Sequence, residues 1–174
     1  YVYDIERMTS QFNKMTECFK VFPHKIHFAC KALTNISIIR HMGKLGCGAD
    51  AVSPGEVKIC LKAGIAASDI IFTPSGPSKQ EIDLAHELGV MITLDSLSSL
   101  RYWGANYADK PVSIRINPHV LAGGDSKISV AGIDSKFGIS MDFVPQILEI
   151  VAEFGLKIEG LHIHTGSDIS SGSD

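Results

Sequence analysis

The chain has 174 residues, 45% of them hydrophobic and 20% charged, with a formal net charge of −3. That is enough apolar matter for a core and too little basic surface for nucleic acid or an anionic membrane. No run of about 18 apolar residues is present to span a bilayer. The opening Tyr1-Val2-Tyr3-Asp4 has neither the basic start nor the apolar stretch of a signal peptide. Cys18, Cys30, Cys47 and Cys60 form no C-x-x-C pair, so they read as reduced, mostly buried thiols of a cytoplasmic protein.

In chain order, residues 1–3 read as a short extra strand. Asp4 then opens a helix whose apolar face is Ile5, Met8, Phe12, Met15 and Phe19. Residues 25–31 form the first of a series of short, apolar, β-branched strands, followed by 49–53, 70–74, 91–95, 112–117 and 157–166. Helices alternate with them. Ser53-Pro54-Gly55-Glu56 reads as a capping box with proline at the first helical position, and Ser78-Lys79-Gln80-Glu81 repeats the box. A helix over 142–154 is expected to bury Val144, Ile147, Leu148 and Val151. Gly46, Gly64, Gly89 and Gly155 stop helices. Residues 170–174 read as loop.

Strand starts recur at about 21 residues. Strand–helix–strand units at a steady period favour a parallel sheet with right-handed crossovers, and a (β/α)8 TIM barrel fits best. The rival is an open doubly wound sheet; its dinucleotide-binding version is weakened because no G-x-G-x-x-G follows an early strand. A full barrel takes about 250 residues and eight strands. Six barrel strands are visible here, so residues 1–174 are expected to be the N-terminal part of an incomplete barrel.

In such barrels the working residues sit at the C-terminal strand ends. The first strand closes on Lys31, where burying an ammonium would be costly and a neutral amine would suit Schiff-base chemistry; the plain alternative is a lysine that snorkels to solvent. Arg115 interrupts an apolar strand and calls for an anionic partner, with Asp50 as a possible protein partner in a purely structural pair. His162 and His164 share one side of the last strand by alternation, although a strand histidine often serves only a local hydrogen bond. Thr165-Gly166-Ser167 is a small-residue turn whose backbone N–H groups could hold a phosphate.

These residues fall into motifs. Phe28-Ala29-Cys30-Lys31-Ala32-Leu33-Thr34-Asn35 resembles a lysine motif usually written Y-A-x-K-A-N. Gly48-Ala49-Asp50-Ala51-Val52-Ser53-Pro54-Gly55-Glu56 resembles G-x-D-x-x-S-x-G-E. Ile114-Arg115-Ile116-Asn117-Pro118, Ser135-Lys136-Phe137-Gly138 and His162-Ile163-His164-Thr165-Gly166-Ser167 follow in order. Together with the opening Tyr-Val-Tyr-Asp, they resemble the fold type III pyridoxal-phosphate (PLP) amino-acid decarboxylases, the diaminopimelate decarboxylases in particular, over nearly the whole chain.

The resemblance implies that Lys31 carries PLP as a Schiff base, that His164 stacks on its ring, and that Arg115 holds its polar edge. It also implies that Asp50 tunes the lysine and that Gly166 and Ser167 bind the phosphate. It implies decarboxylation of meso-2,6-diaminopimelate to L-lysine and carbon dioxide by a cytoplasmic homodimer with shared active sites, and no metal. The first strand, residues 1–3, would belong to a β-domain whose remainder lies C-terminal to the barrel and outside this chain. Alternatives are a sister decarboxylase acting on ornithine, lysine, arginine or a carrier-bound amino acid, and a non-catalytic binding relative; a racemase on the same fold fits the motifs less well. Two loops depart from the family pattern: Thr73-Pro74-Ser75-Gly76-Pro77-Ser78-Lys79 stands where G-N-x-K-S is usual, and residues 123–132 replace T-H-P-Y-I-x-T-G.

Overall fold

Asp4 has extended backbone, and its carboxylate accepts the Arg7 N–H at 3.0 Å, so helix α1 (Ile5–Phe19) begins where the sequence signals it. The computed structural model describes residues 2–119 and 137–166, in two compact units, Tyr1–Ile71 and Phe72–Asp174. Val2 and Tyr3 do not form the expected extra strand. An extended segment needs a partner for its N–H and C=O groups, and none is supplied among the described residues. The apolar face of α1 buries none of its residues. It borders a cavity of about 670 Å³ lined by Met8, Phe12, Met15, Phe28 and Met42, among others.

In the first unit β1 (His27–Ala29) and β2 (Gly48–Ala51) pair in parallel, with Ala29 opposite Asp50. Parallel neighbours require a crossover, and α2 (Ile36–Lys44) provides it, capped by the Asn35 side chain, which accepts the Ser37 and Ile38 N–H groups. Helices α2 and α3 (Pro54–Ala63) bury Ile38, Ile39, Met42, Val57, Cys60 and Ala63. The α3 box forms with a shift. Ser53 Oγ accepts the Glu56 N–H at 3.2 Å, but the Glu56 carboxylate takes the Val52 N–H at 2.8 Å, one residue upstream of the cap.

Strand β3 (Ile70–Phe72) runs across the boundary between the units. The second unit then builds α4 (Lys79–Glu87), β4 (Met91–Leu94), α5 (Leu97–Tyr107), β5 (Pro111–Asn117), β6 (Ile139–Ser140), α6 (Val144–Phe154) and β7 (Lys157–His162). At α4 the capping box is complete, Ser78 and Glu81 each accepting the other's N–H. Strand β5 is central: it pairs in parallel with β4, with β7 and, through its last residues, with β6. The parallel α/β class expected from the alternation is observed, and the starts of β2 to β5, Gly48, Ile70, Met91 and Pro111, keep the expected spacing. Several strands end earlier than read, at Ala29, Ala51, Phe72, Leu94 and His162, because their last residues leave the ladder to form turns and caps.

Ile92, Leu94, Val112, Ile114, Leu100, Trp103 and Ile150 are fully or nearly fully buried. The buried stripe of α6 is rotated from the expected one. Ile147 and Ile150 are inside while Leu148 is 61% exposed. The helix faces α5, where Gly104 leaves room for the Phe154 ring, so the stripe follows 147, 150 and 154.

Candidate active site

Two groups of residues stand at C-terminal strand ends, one in each unit. In the first, β1 stops at Ala29 and the chain turns through a 3-10 segment, Cys30–Ala32, closed by the Leu33 N–H on the Cys30 carbonyl at 3.0 Å. Cys30 takes the inward position with 0% exposure, and Lys31 is exposed. The expectation of a buried strand-end lysine is therefore corrected. The turn carries Lys31 off the sheet, so its amine is presented to solvent. Asp50 is half-buried and in register with Ala29, two residues before Lys31. Its charge reaches the buried pair beneath the turn, where Cys30 Sγ lies 3.3 Å from Cys60 Sγ. The hydrogen bond to Cys60, then burial, then the nearby charges of Glu56 and Asp50 hold the Cys30 thiol protonated, well above the ordinary thiol range. A protonated, buried thiol is chemically quiet, and Lys31 is the exposed amine of this turn.

In the second unit the register orders the site. Thr93 pairs with Ser113, Ser113 with Gly160, and Arg115 with His162. In-register residues of parallel strands project to one face. That face is polar, while the opposite one carries Ile92, Leu94, Val112, Ile114 and Ile116. The β5–β7 register shifts between Val112 and Ser113, and this bulge brings Gly160 opposite Ser113 and His162 opposite Arg115. A Cβ on Gly160 would lie 3.0 Å from Ser113 Oγ, so the two strands are close there.

Arg115 is half-buried, and its guanidinium carbon lies 4.9 Å over the Phe137 ring, a cation–π contact. The following residue, Gly138, has φ +79, and a Cβ there would meet Asn117 N at 3.0 Å and Arg115 Cγ at 3.2 Å. Glycine is therefore needed for this segment to pass over Arg115. Along and beyond β7, exposure alternates: Leu161 and Ile163 are exposed, and His162 and His164 are half-buried. Both histidines thus share the covered side, as alternation leads one to expect. Gly166 has φ +151 in the turn beyond; Ser167 lies outside the described residues, as do residues 123–132 and the first two of the Ser135–Gly138 motif.

Sequence reading missed Phe137 as a partner of Arg115, and it missed Asp95. Asp95 directly follows β4 and is 8% exposed, and its Oδ2 accepts the Gly76 N–H at 2.8 Å. The available signal was positional: an aspartate at the exit of a barrel strand. No group of three or more metal-ligating side chains is found among the described residues. The arrangement supplies an accessible amine with a neighbouring carboxylate in one unit. In the other it supplies a cation and imidazoles along one polar sheet edge beside a small-residue turn. An amine of the first kind can condense with a carbonyl, and a cation with imidazoles can flank a flat ring and hold an anion.

Comparison with known proteins gives the same direction. The family described as pyridoxal-dependent decarboxylase, pyridoxal binding domain, matches residues 5–174. A diaminopimelate decarboxylase of Methanothermobacter thermautotrophicus is 33% identical over 172 residues, covering 97% of this chain and 40% of the relative. One from Haemophilus influenzae is 31% identical, covering 98% and 42%. The solved structure of diaminopimelate decarboxylase from Helicobacter pylori complexed with L-lysine superposes with a TM-score of 0.88 at 30% identity, covering 97% of this chain and 44% of that one. The chain thus spans less than half the length of the relatives it matches, and its fold is an incomplete piece of their (β/α)8 barrel.

Proposed function

Since the chain belongs to the pyridoxal-dependent decarboxylase family, in its pyridoxal-binding domain, we propose that the whole protein decarboxylates meso-2,6-diaminopimelate to L-lysine and carbon dioxide. The relatives carrying the diaminopimelate decarboxylase name match nearly the full chain, and the H. pylori and M. jannaschii structures hold L-lysine, the product of this reaction. The observation that carries the reading is the match of the pyridoxal binding domain over residues 5–174, within which Lys31 stands on the turn closing β1 with Asp50 in register beside the strand end.

The donor set fits pyridoxal phosphate, which offers an aldehyde, an aromatic ring with a polar edge, and a phosphate. Lys31 Nζ would condense with the aldehyde, with loss of water. Asp50 orients the amine from the neighbouring strand. His164 would stack on the ring, Arg115 would hold the polar edge, and Gly166 and Ser167 would bind the phosphate. When bound, the cofactor supplies the electron sink for the pair left behind as the carboxylate departs. Lys31 Nζ, once the substrate amine has replaced it, holds the proton that the product carbon needs. The protein acts as a cytoplasmic homodimer with shared sites. No helix among the described residues is long and apolar enough to cross a membrane.

The test is borohydride reduction of the intact protein followed by peptide mapping, with carbon dioxide release assayed on a panel of amino acids. The expected result is a pyridoxyl label on Lys31, release from meso-diaminopimelate, and a Lys31→Ala variant that loses colour and activity together. A label on another lysine would reject the site. Turnover of ornithine, lysine or arginine with meso-diaminopimelate inert would reject the substrate.

A further inference from the structure

The six residues Thr73–Ser78 run from the end of β3 to the N-cap of α4. Thr73 and Pro74 are buried at the root of this turn, and Ser75 and Gly76 are exposed at its tip. The tip is tied down from a distance. Asp95 Oδ2, 19 residues on, accepts the Gly76 N–H at 2.8 Å. Gly76 has φ +59, and a Cβ there would meet nothing within 4 Å, so glycine serves the backbone direction that aims this amide at the carboxylate. The sequence of the turn departs from the G-N-x-K-S pattern that the resemblance leads one to expect.

A second observation places the anchor at the active edge. Residues two apart on a strand share a face. Thr93 lies in the row of Ser113 and Gly160, and the next row holds Arg115 and His162. Asp95, two residues beyond Thr93, extends the same face of β4 toward that row. Within this face Thr93 Oγ1 and Asp95 Oδ1 are buried with no hydrogen-bond partner among the described residues. A carboxylate oxygen buried without a donor is costly. An amide would make the same bond to Gly76 at lower cost, so the position is not explained by stability alone.

We propose that Asp95 is a positioning residue that, through the Gly76 amide, holds the Thr73–Ser78 turn as one wall of the amino-acid substrate site, without itself touching substrate. The proposal rests on the function proposed above. It assigns the turn to substrate capture, so the anchor governs KM more than the chemical step.

The test compares Asp95→Ala, Asp95→Asn and Gly76→Ala in the intact, PLP-loaded protein. Asp95→Ala should lose hydrogen-exchange protection in the peptide holding Gly76 and raise KM for meso-diaminopimelate on the order of tenfold, the size of one lost charge-assisted hydrogen bond. Its kcat and cofactor absorbance should stay within about twofold. Asp95→Asn retains an acceptor oxygen for Gly76 and should restore both protection and KM. Because Oδ1 has no donor to lose, its melting temperature should not fall. Should Asp95→Ala not fold, Gly76→Ala displaces the turn without a steric clash and should raise KM alike.

Unchanged KM in Asp95→Ala or Gly76→Ala overturns the proposal. So does an Asp95→Asn variant that keeps Gly76 protected yet loses turnover, since the charge would then act directly in the site. If the wild type itself fails to turn over the substrate, the function reading fails, while the exchange comparison still tests the anchor.

Discussion

Gly104 offers a quantitative test of how the second unit holds its strands. It lies in α5, where replacing glycine by alanine should favour the helix by about 1 kcal/mol and bury a methyl worth about 0.8 kcal/mol. Against this, a Cβ at 104 would lie 2.5 Å from Phe154 Cγ, 2.7 Å from Cδ2 and 2.9 Å from Cβ. The ring can swing, but its Cβ is fixed to the α6 backbone, so relief requires the two helices to part. Overpacking of this kind costs about 1–3 kcal/mol, and three contacts this short put the cost at the upper end. Gly104→Ala should therefore destabilise the protein by about 1 kcal/mol.

In a Phe154→Gly background all three contacts vanish, and the same substitution should stabilise by about 1 kcal/mol. The sign reverses, with a coupling of about 2 kcal/mol. Urea unfolding of the four versions, followed by far-UV circular dichroism, measures it. A Gly104→Ala protein as stable as its parent with Phe154 present, or a coupling under about 0.5 kcal/mol, would refute the packing argument. The consequence reaches the site, because α5 leads into β5 and α6 leads into β7, the strands that carry Arg115 and His162.

Gly138→Ala should cost about 1–2 kcal/mol for a left-handed φ alone, and its methyl, 3.2 Å from Arg115 Cγ, should weaken PLP binding several-fold in an absorbance titration; unchanged affinity would separate this segment from cofactor binding. Alkaline pH should destabilise the fold. Burial pushes the Cys47 thiol up to about 11, and the hydrogen bond to Asp83 pushes the Tyr107 hydroxyl up to about 12. Both groups are favoured protonated in the fold, so their contribution is complete below the ordinary thiol and phenol ranges and is lost as pH rises through those raised values. Urea midpoints should fall between about pH 9 and 12, and Cys47→Ala should flatten the lower part of that fall; an equal slope in the variant would exclude the thiol.

Much of this protein is legible locally. The caps at Asp4, Ser53 and Ser78, the helix stops and the strand spacing depend on neighbours a few residues apart, and they appear where the sequence places them. The alternation that puts His162 and His164 on one side is equally local, and it survives past the end of β7. The motif order around Lys31, Asp50, Arg115 and His164 by itself points to a cofactor.

What only the tertiary structure decided concerns pairs far apart in sequence. The Cys30–Ala32 turn sends Cys30 inward beside Cys60 and Lys31 out to solvent. The bulge between Val112 and Ser113 selects which residue of β7 faces Arg115. Phe137 covers the guanidinium, and Asp95 reaches back 19 residues to Gly76. The physical reason is the same in each case. Propensity, capping and periodicity are short-range preferences carried by the chain itself, whereas register, burial and the partner of a buried charge are set by which surfaces exclude water together.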